Sequence, residues 1–226
     1  MAGLVGTTAG FDFKKFMFPG IMAMSVVMTA IFSGISIVWD REFGFLREML
    51  VAPTSRASLA LGKTAGGATV AAAQGTIMLV LAPLIGVRLT PLLVLEIIGL
   101  ELLMAMALTA FGVAVASRIE KIESFQVVMQ LILFPMLFLS GALFPLNGLP
   151  GWLTVITGIN PLTYAVAPLR QAVFAAQHMP AAARERFPAN VELFGHTLSI
   201  TTEVAIVAVL AAIFIALAIR GFSRTQ

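Results

Sequence analysis

Read from end to end, the chain alternates long apolar runs with short charged punctuation. The first run covers 24 residues, 16–39, without one charged side chain, and nearly uncharged runs recur at 64–87, 91–116, 125–144 and 201–219. Each is long enough to cross a hydrocarbon layer about 30 Å thick as a helix, which takes about 20 residues. The runs are continuous rather than alternating, so a membrane β-barrel is disfavoured. The pattern predicts an all-α, polytopic helical membrane protein with five spans in one domain, 1–226. The segment 145–200 is different. FPLNGLPGW (144–152) has too many helix breakers for a span, yet Trp152, Leu153, Val155 and Ile156 are too apolar for a solvated loop. A re-entrant hairpin on the outer side with Trp152 at the interface is expected, either capping a pathway or padding the interface, followed by a polar loop over 177–196.

The end of the first run carries the most informative punctuation. Five charged residues arrive within nine positions: Asp40, Arg41, Glu42, Arg47 and Glu48. Read as a helix over 40–50, Trp39, Phe43, Leu46 and Leu50 share one face, the charges gather on the other, and Pro53 stops the turn. Such a helix lies along the membrane surface. Plain lipid anchoring favours Lys and Arg, whereas the signs here are balanced, and that favours docking to another protein.

Composition agrees with the pattern. The 226 residues are 59% hydrophobic and 11% charged, with a mean hydropathy of +1.00. That excludes an ordinary soluble domain. With no cysteine, disulfides and thiolate metal sites are excluded. A dispersed net charge of +3 offers no basic tract for nucleic acid. Cation placement sets a predicted orientation. Arg41, Arg56, Lys63, Arg118, Lys121 and Arg220, with Arg47 and Arg224, fall on one side, which is taken as cytoplasmic together with the C-terminus. Lys14, Lys15, Arg88, Arg170, Arg184 and Arg186 fall on the other. The N-terminal 15 residues do not read as a signal peptide. An outer N-terminus with two lysines is explained by one further span ahead of Met1.

Candidate chemistry is sparse. LGKT at 61–64 ends like a phosphate-binding loop, but Ala57 stands where that motif needs glycine, and no strand precedes it. Lys63 is expected to snorkel at the inner boundary. His178 and His196 lack a carboxylate pattern and read as surface residues, so no metal is expected. Gly67, Ala71 and Gly75 recur every four residues as a helix-packing stripe. Pro135 is placed mid-span, where it bends the helix. Glu101 lies about 15 Å into its span, near the midplane, and must face the bundle or water. It either hydrogen-bonds a neighbouring helix or contacts cargo in a translocation path. Glu96 is about 140° away around the helix and does not pair with it.

DREFGFLREMLVAPTSR with LGKTAGGATVAAAQG, and LSGALFPLNGLPGWLTVITGINPLTYAVAPLR at 139–170, resemble the coupling segment and external hairpin of type-2 ABC exporter permeases. That family includes the membrane subunits for drug, polysaccharide and lipid export. The family has six spans, so the resemblance implies that the first is missing here. It implies a non-enzymatic half-channel in the cell (inner or plasma) membrane, paired with a second permease copy or homologue and with lipid. No cofactor is implied on this chain. ATP and Mg would be held by a separate ABC ATPase, which would drive outward transport of a hydrophobic or amphiphilic drug, lipid or lipid-linked glycan. Carried over by position, Asp40, Arg41, Glu42, Phe43, Gly44, Phe45, Leu46, Arg47 and Glu48 would couple to that ATPase within a cytoplasmic segment 40–56. Pro145, Pro150, Trp152, Asn160 and Pro161 would build the hairpin. The competing reading is an ion-coupled secondary transporter acting without an ATPase, for which Glu101 would be the ion site; no internal repeat supports it.

Overall fold

The structure, a computed structural model, describes residues 13–45, 55–143, 150–177, 192–193 and 196–224. It is helical almost throughout, with α1 (Phe13–Phe32), α2 (Ile35–Glu42), α3 (Arg56–Val80), a 3-10 turn (Ala82–Ile85), α4 (Pro91–Ala116), α5 (Ile122–Phe138), α6 (Gly151–Ile159), α7 (Pro161–Ala176) and α8 (Ile200–Arg224). Among the described residues the one departure from all-α is a two-residue antiparallel pairing between β1 (Glu192–Leu193) and β2 (His196–Thr197).

Among the described residues, three stretches are long and apolar enough to cross a membrane: Lys15–Glu42, Pro91–Ala116 and Ile200–Phe222. They match three of the five spans expected. The expected span 125–144 is a shorter apolar helix of 17 residues, Ile122–Phe138. Pro135 therefore sits in the last turn of α5 and not at mid-span. The expected span 64–87 is displaced. Ser55 accepts a hydrogen bond from the Ser58 amide at 3.0 Å and caps a helix that begins at Arg56. The helix gives way to the 3-10 turn at Pro83, and Gly86 closes that turn with φ +78°. At about 1.5 Å per residue the 25 residues of α3 still reach about 37 Å. Its glycines, threonines and Gln74 lower its apolarity without shortening it. Large apolar side chains such as Leu92, Leu95, Val127 and Leu131 stand exposed, as a surface facing hydrocarbon requires.

The chain divides into two compact units: Met1–Met24, Gly75–Glu101 and Met136–Ile206 form the first; Ser25–Gln74, Leu102–Pro135 and Val207–Gln226 form the second. In the first, α7 is the core, with Leu162–Arg170 buried without a gap. Phe16 packs on Phe174 at 6.2 Å and under the Arg170 guanidinium at 4.5 Å. The Arg170 guanidinium also donates to the carbonyls of Gly141 and Ala142 at 2.5 and 3.3 Å.

The second unit is built on close backbone approach. A Cβ on Gly34 would stand 2.7 Å from the Gly112 carbonyl, and one on Gly112 would stand 2.4 Å from the Ile31 oxygen. Only residues without a Cβ allow that contact. The same unit holds two aromatic pairs, Phe32 edge-on to Phe125 at 6.5 Å and Phe111 tilted on Phe214 at 5.2 Å. The described cations predicted for the cytoplasmic side, Arg41, Arg56, Lys63, Arg118, Lys121 and Arg220, all belong to this unit. Lys15, Arg88 and Arg170 belong to the first.

Candidate functional site

The charged stretch after the first apolar run is not one continuous helix. α2 carries Asp40, Arg41 and Glu42 in its last turn and stops there. The Phe43 amide donates to the Trp39 carbonyl at 2.9 Å and the Gly44 amide to the Arg41 carbonyl at 3.2 Å. Gly44 then takes φ +84°, a left-handed conformation that ends the helix. The expected helix over 40–50 is thus corrected at its first half: a spacing that suits a helix does not survive a glycine in this conformation. Leu46, Arg47 and Glu48 lie outside the described residues.

Each of the three consecutive charges has a partner inside the same unit. Asp40 forms an ion pair with Lys63 of α3 at 2.5 Å, so Lys63 is bound to the chain and not merely snorkelling. Arg41 spreads its guanidinium over the Ser117 and Ile119 carbonyls, at 2.8 and 2.7 Å, just past the C-terminus of α4. Glu42 accepts from the Ile122 amide at 3.3 Å, at the N-terminus of α5. A cation is stabilised at a helix C-terminus and an anion at an N-terminus, each by about 0.3–1 kcal/mol when exposed. The signs of Asp40, Arg41 and Glu42 are therefore matched within the chain. That revises the argument that these three charges face a protein partner. What this stretch leaves outward is aromatic: Trp39, Phe43 and Phe45 are 49%, 69% and 56% exposed.

Beside the Asp40–Lys63 pair lies a groove of about 390 Å³, lined by Thr29, Ser33, Ser36, Gly62, Lys63, Gly66, Gly67 and Val70. Sequence reasoning missed its hydroxyl side. The signal was present in the i, i+4, i+7 spacing of Thr29, Ser33 and Ser36, which places three hydroxyls on one face of an uncharged run. Gly67 belongs to the predicted packing stripe, and a Cβ there would meet the Ser33 hydroxyl at 2.2 Å and the Thr109 methyl at 2.8 Å. Ala71 and Gly75 are buried.

Glu101 is fully buried in α4, and neither carboxylate oxygen has a hydrogen-bond partner. It belongs to the first unit, and the charged stretch to the second. The hairpin residues are placed as follows. Pro145 lies outside the described residues, as does His178. Pro150 starts α6, and Trp152 on its first turn is 66% exposed. A single residue, Asn160, separates α6 from α7. Its side-chain oxygen accepts from the Leu162 amide at 3.0 Å, its nitrogen donates to the Met136 carbonyl at 2.7 Å, and Pro161 takes the first helical position. Thr163 donates to the Thr157 carbonyl at 2.9 Å and Tyr164 to the Gly158 carbonyl at 2.5 Å, folding α7 tightly back on α6. Gln171 donates to the buried Glu203 at 2.8 Å. Arg170, Gln171 and Glu203 were not anticipated as a group; an arginine and a glutamine inside an apolar helix were the available sign.

Known proteins share this arrangement of sequence. The profile of the ABC-2 type transporter family matches residues 1–174. Among curated relatives, the transport permease ycf38 of Cyanophora paradoxa is 31% identical over 70% of this chain and 56% of its own length. The multidrug ABC transporter permease YbhR of Escherichia coli K12 is 28% identical over 68% of this chain and 42% of its own. Nodulation protein J of Rhizobium leguminosarum bv. viciae is 28% identical over 74% and 65%. The chain spans about half the length of the curated relatives it matches.

Proposed function

Because this chain belongs to the ABC-2 type transporter family, we propose that it is a membrane permease subunit of an ATP-driven exporter, worked through the segment 40–56 by an ATPase on a separate polypeptide. The observation that carries the reading is the way the described ends of this segment are held. At its start, Asp40 is paired with Lys63 of α3, and Arg41 and Glu42 are bound to the end of α4 and the beginning of α5. At its end, Arg56 donates to the Phe222 carbonyl near the end of α8 at 3.0 Å. The segment between begins with exposed Phe43 and Phe45. Exposed aromatic side chains beside a firmly held helix end suit a protein groove.

In this reading the side carrying Arg41, Arg56, Lys63, Arg118, Lys121 and Arg220 faces the cytoplasm of the cell, as does the C-terminus. Two permease copies or homologues form the pathway. The chain provides no ATP site; ATP and Mg belong to the partner. The relatives include one named for multidrug transport and one for nodulation. With the apolar character of the helices, that favours a hydrophobic or amphiphilic cargo.

The test is a search of the neighbouring reading frames for an ATPase with a GxxxxGK[ST] loop, and reconstitution of this chain with it. The pair is expected to co-purify, to hydrolyse ATP faster when amphiphilic cargoes are added, and to lose association when Phe43 and Phe45 are both changed to Asp. Transport that persists without ATP and follows a proton gradient would replace this reading with a secondary transporter. Labelling of a cysteine at position 45 from outside intact cells would reverse the orientation.

A further inference from the structure

Two glycines that line the groove beside Lys63 are not explained by packing within the chain. A Cβ on Gly67 would strike Ser33 and Thr109, but one on Gly62 or Gly66 would meet no described atom within 4 Å. Glycine weakens a helix relative to alanine, and it earns a place where a ligand or another backbone comes close. The groove lies wholly inside the second unit, between α1–α2 and α3. Asp40 meets Lys63 at one end, and Thr29 donates to Gln74 at the other. Asp40 is two residues from the end of the apolar stretch Lys15–Glu42, so its pair with Lys63 stands at a membrane boundary. From Gly62 to Val70 the groove follows about 12 Å of α3. Spread over that length, 390 Å³ makes a slot about 6 Å across, narrower than the 10–12 Å of a helix with its side chains.

The polar atoms along the slot define what suits it. Ser33 and Ser36 donate to the carbonyls of Ala30 and Ser33 at 2.7 and 3.0 Å, so their oxygens face an occupant as acceptors. Lys63 gives one of its three N–H donors to one oxygen of Asp40, and both side chains stay partly exposed. The boundary end therefore offers donors for an anion and acceptors for a cation, above a slim passage floored by glycine. We propose that the slot binds one phospholipid whose zwitterionic headgroup carries a primary ammonium. Its phosphate accepts from Lys63, its ammonium donates to Asp40 and Ser36, and one acyl chain runs along Gly62, Gly66 and Val70. A purely anionic headgroup meets repulsion from Asp40. A quaternary ammonium has no hydrogen to donate. The site does not depend on the ATPase; the orientation proposed above assigns it to the cytoplasmic leaflet.

Native mass spectrometry of the full chain tests this, after release from nanodiscs holding equal parts of phosphatidylethanolamine, phosphatidylcholine and phosphatidylglycerol with identical acyl chains. The unsubstituted chain should keep one phospholipid, with ethanolamine enriched about ten-fold over the other two, as one charge-assisted hydrogen bond provides. Gly66→Leu fills the slot without striking the chain, so it should lose the retained lipid while unfolding at the same temperature or higher. Gly99→Leu, at an exposed and equally open position on α4, should keep the lipid. Asp40→Asn leaves Lys63 with an unbalanced charge, so phosphatidylglycerol should overtake phosphatidylethanolamine. Should Gly66→Leu fail to insert, Gly62→Leu carries the same test. No retained lipid in the unsubstituted chain, equal retention in Gly66→Leu, or retention without preference for ethanolamine overturns the inference. A dimer that Gly66→Leu abolishes gives the slot to a second copy and overturns it as well. None of these results touches the proposed function, which stands or falls on the ATPase.

Discussion

Gly112→Ala is the substitution whose cost follows most directly from the geometry. The added methyl would sit 2.4 Å from the Ile31 carbonyl oxygen and 3.1 Å from that residue's carbonyl carbon and Cα. Ordinary contact lies near 3.5 Å, so the two backbones must separate by roughly 1 Å. Neither neighbour is a side chain that can rotate away. Overpacking of this kind costs about 1–3 kcal/mol, and a backbone-to-backbone clash belongs at the upper end. Gly99, on the same helix, is exposed with no atom within 4 Å of a Cβ placed there. Gly99→Ala should therefore only gain helix propensity, about 1 kcal/mol at most. One chemical change on one helix should thus give opposite signs, separated by about 3–4 kcal/mol. The assay is reversible unfolding in mixed micelles by SDS titration, followed by circular dichroism. If Gly112→Ala were as stable as Gly99→Ala, the close approach of α1 and α4 would be wrong, and so would the account of Gly34.

Arg170→Met should destabilise by about 2–4 kcal/mol, because it strands the buried Gly141 and Ala142 carbonyls; thermal unfolding in detergent checks it, with Arg170→Lys recovering less than half. Asn160→Ala removes both the α7 cap and the partner of the Met136 carbonyl and should cost about 2–3 kcal/mol by the same measurement. Glu101→Leu removes two unpartnered buried oxygens and should raise stability by about 1–3 kcal/mol. Glu101→Gln should assemble normally and alter cargo transport by the reconstituted pair; transport at the unsubstituted rate would remove Glu101 from the translocation path.

The helices that sequence reading placed well are those whose own residues carry the signal. The run 91–116 coincides with α4 end to end, and 201–219 lies within α8. α3 was mistimed because its first two turns hold Arg56, Ser58 and Lys63, which an apolarity criterion discards although the Ser55 cap announces them. The first half of the 40–50 helix was misread for a different reason. Periodicity reports which face a side chain would take if the helix continued, and it is silent on whether the backbone does continue; Gly44 was the visible warning.

The harder lesson concerns the mixed charges. Asp40, Arg41 and Glu42 find partners 23 to 80 residues away, so their purpose depends on chain path and not on local pattern. Yet their signs follow from a simple demand. α4 ends at Ala116 and α5 begins at Ile122, so whatever packs against that turn meets a helix C-terminus and a helix N-terminus almost side by side. The first is satisfied by a cation and the second by an anion. Adjacent Arg41 and Glu42 are the complement of such a turn. A balanced pair of charges after an apolar span is therefore evidence of a helix–turn–helix held beneath it before it is evidence of a foreign protein. Among the described residues of this stretch, the large apolar surface left for recognition by a partner is that of Trp39, Phe43 and Phe45.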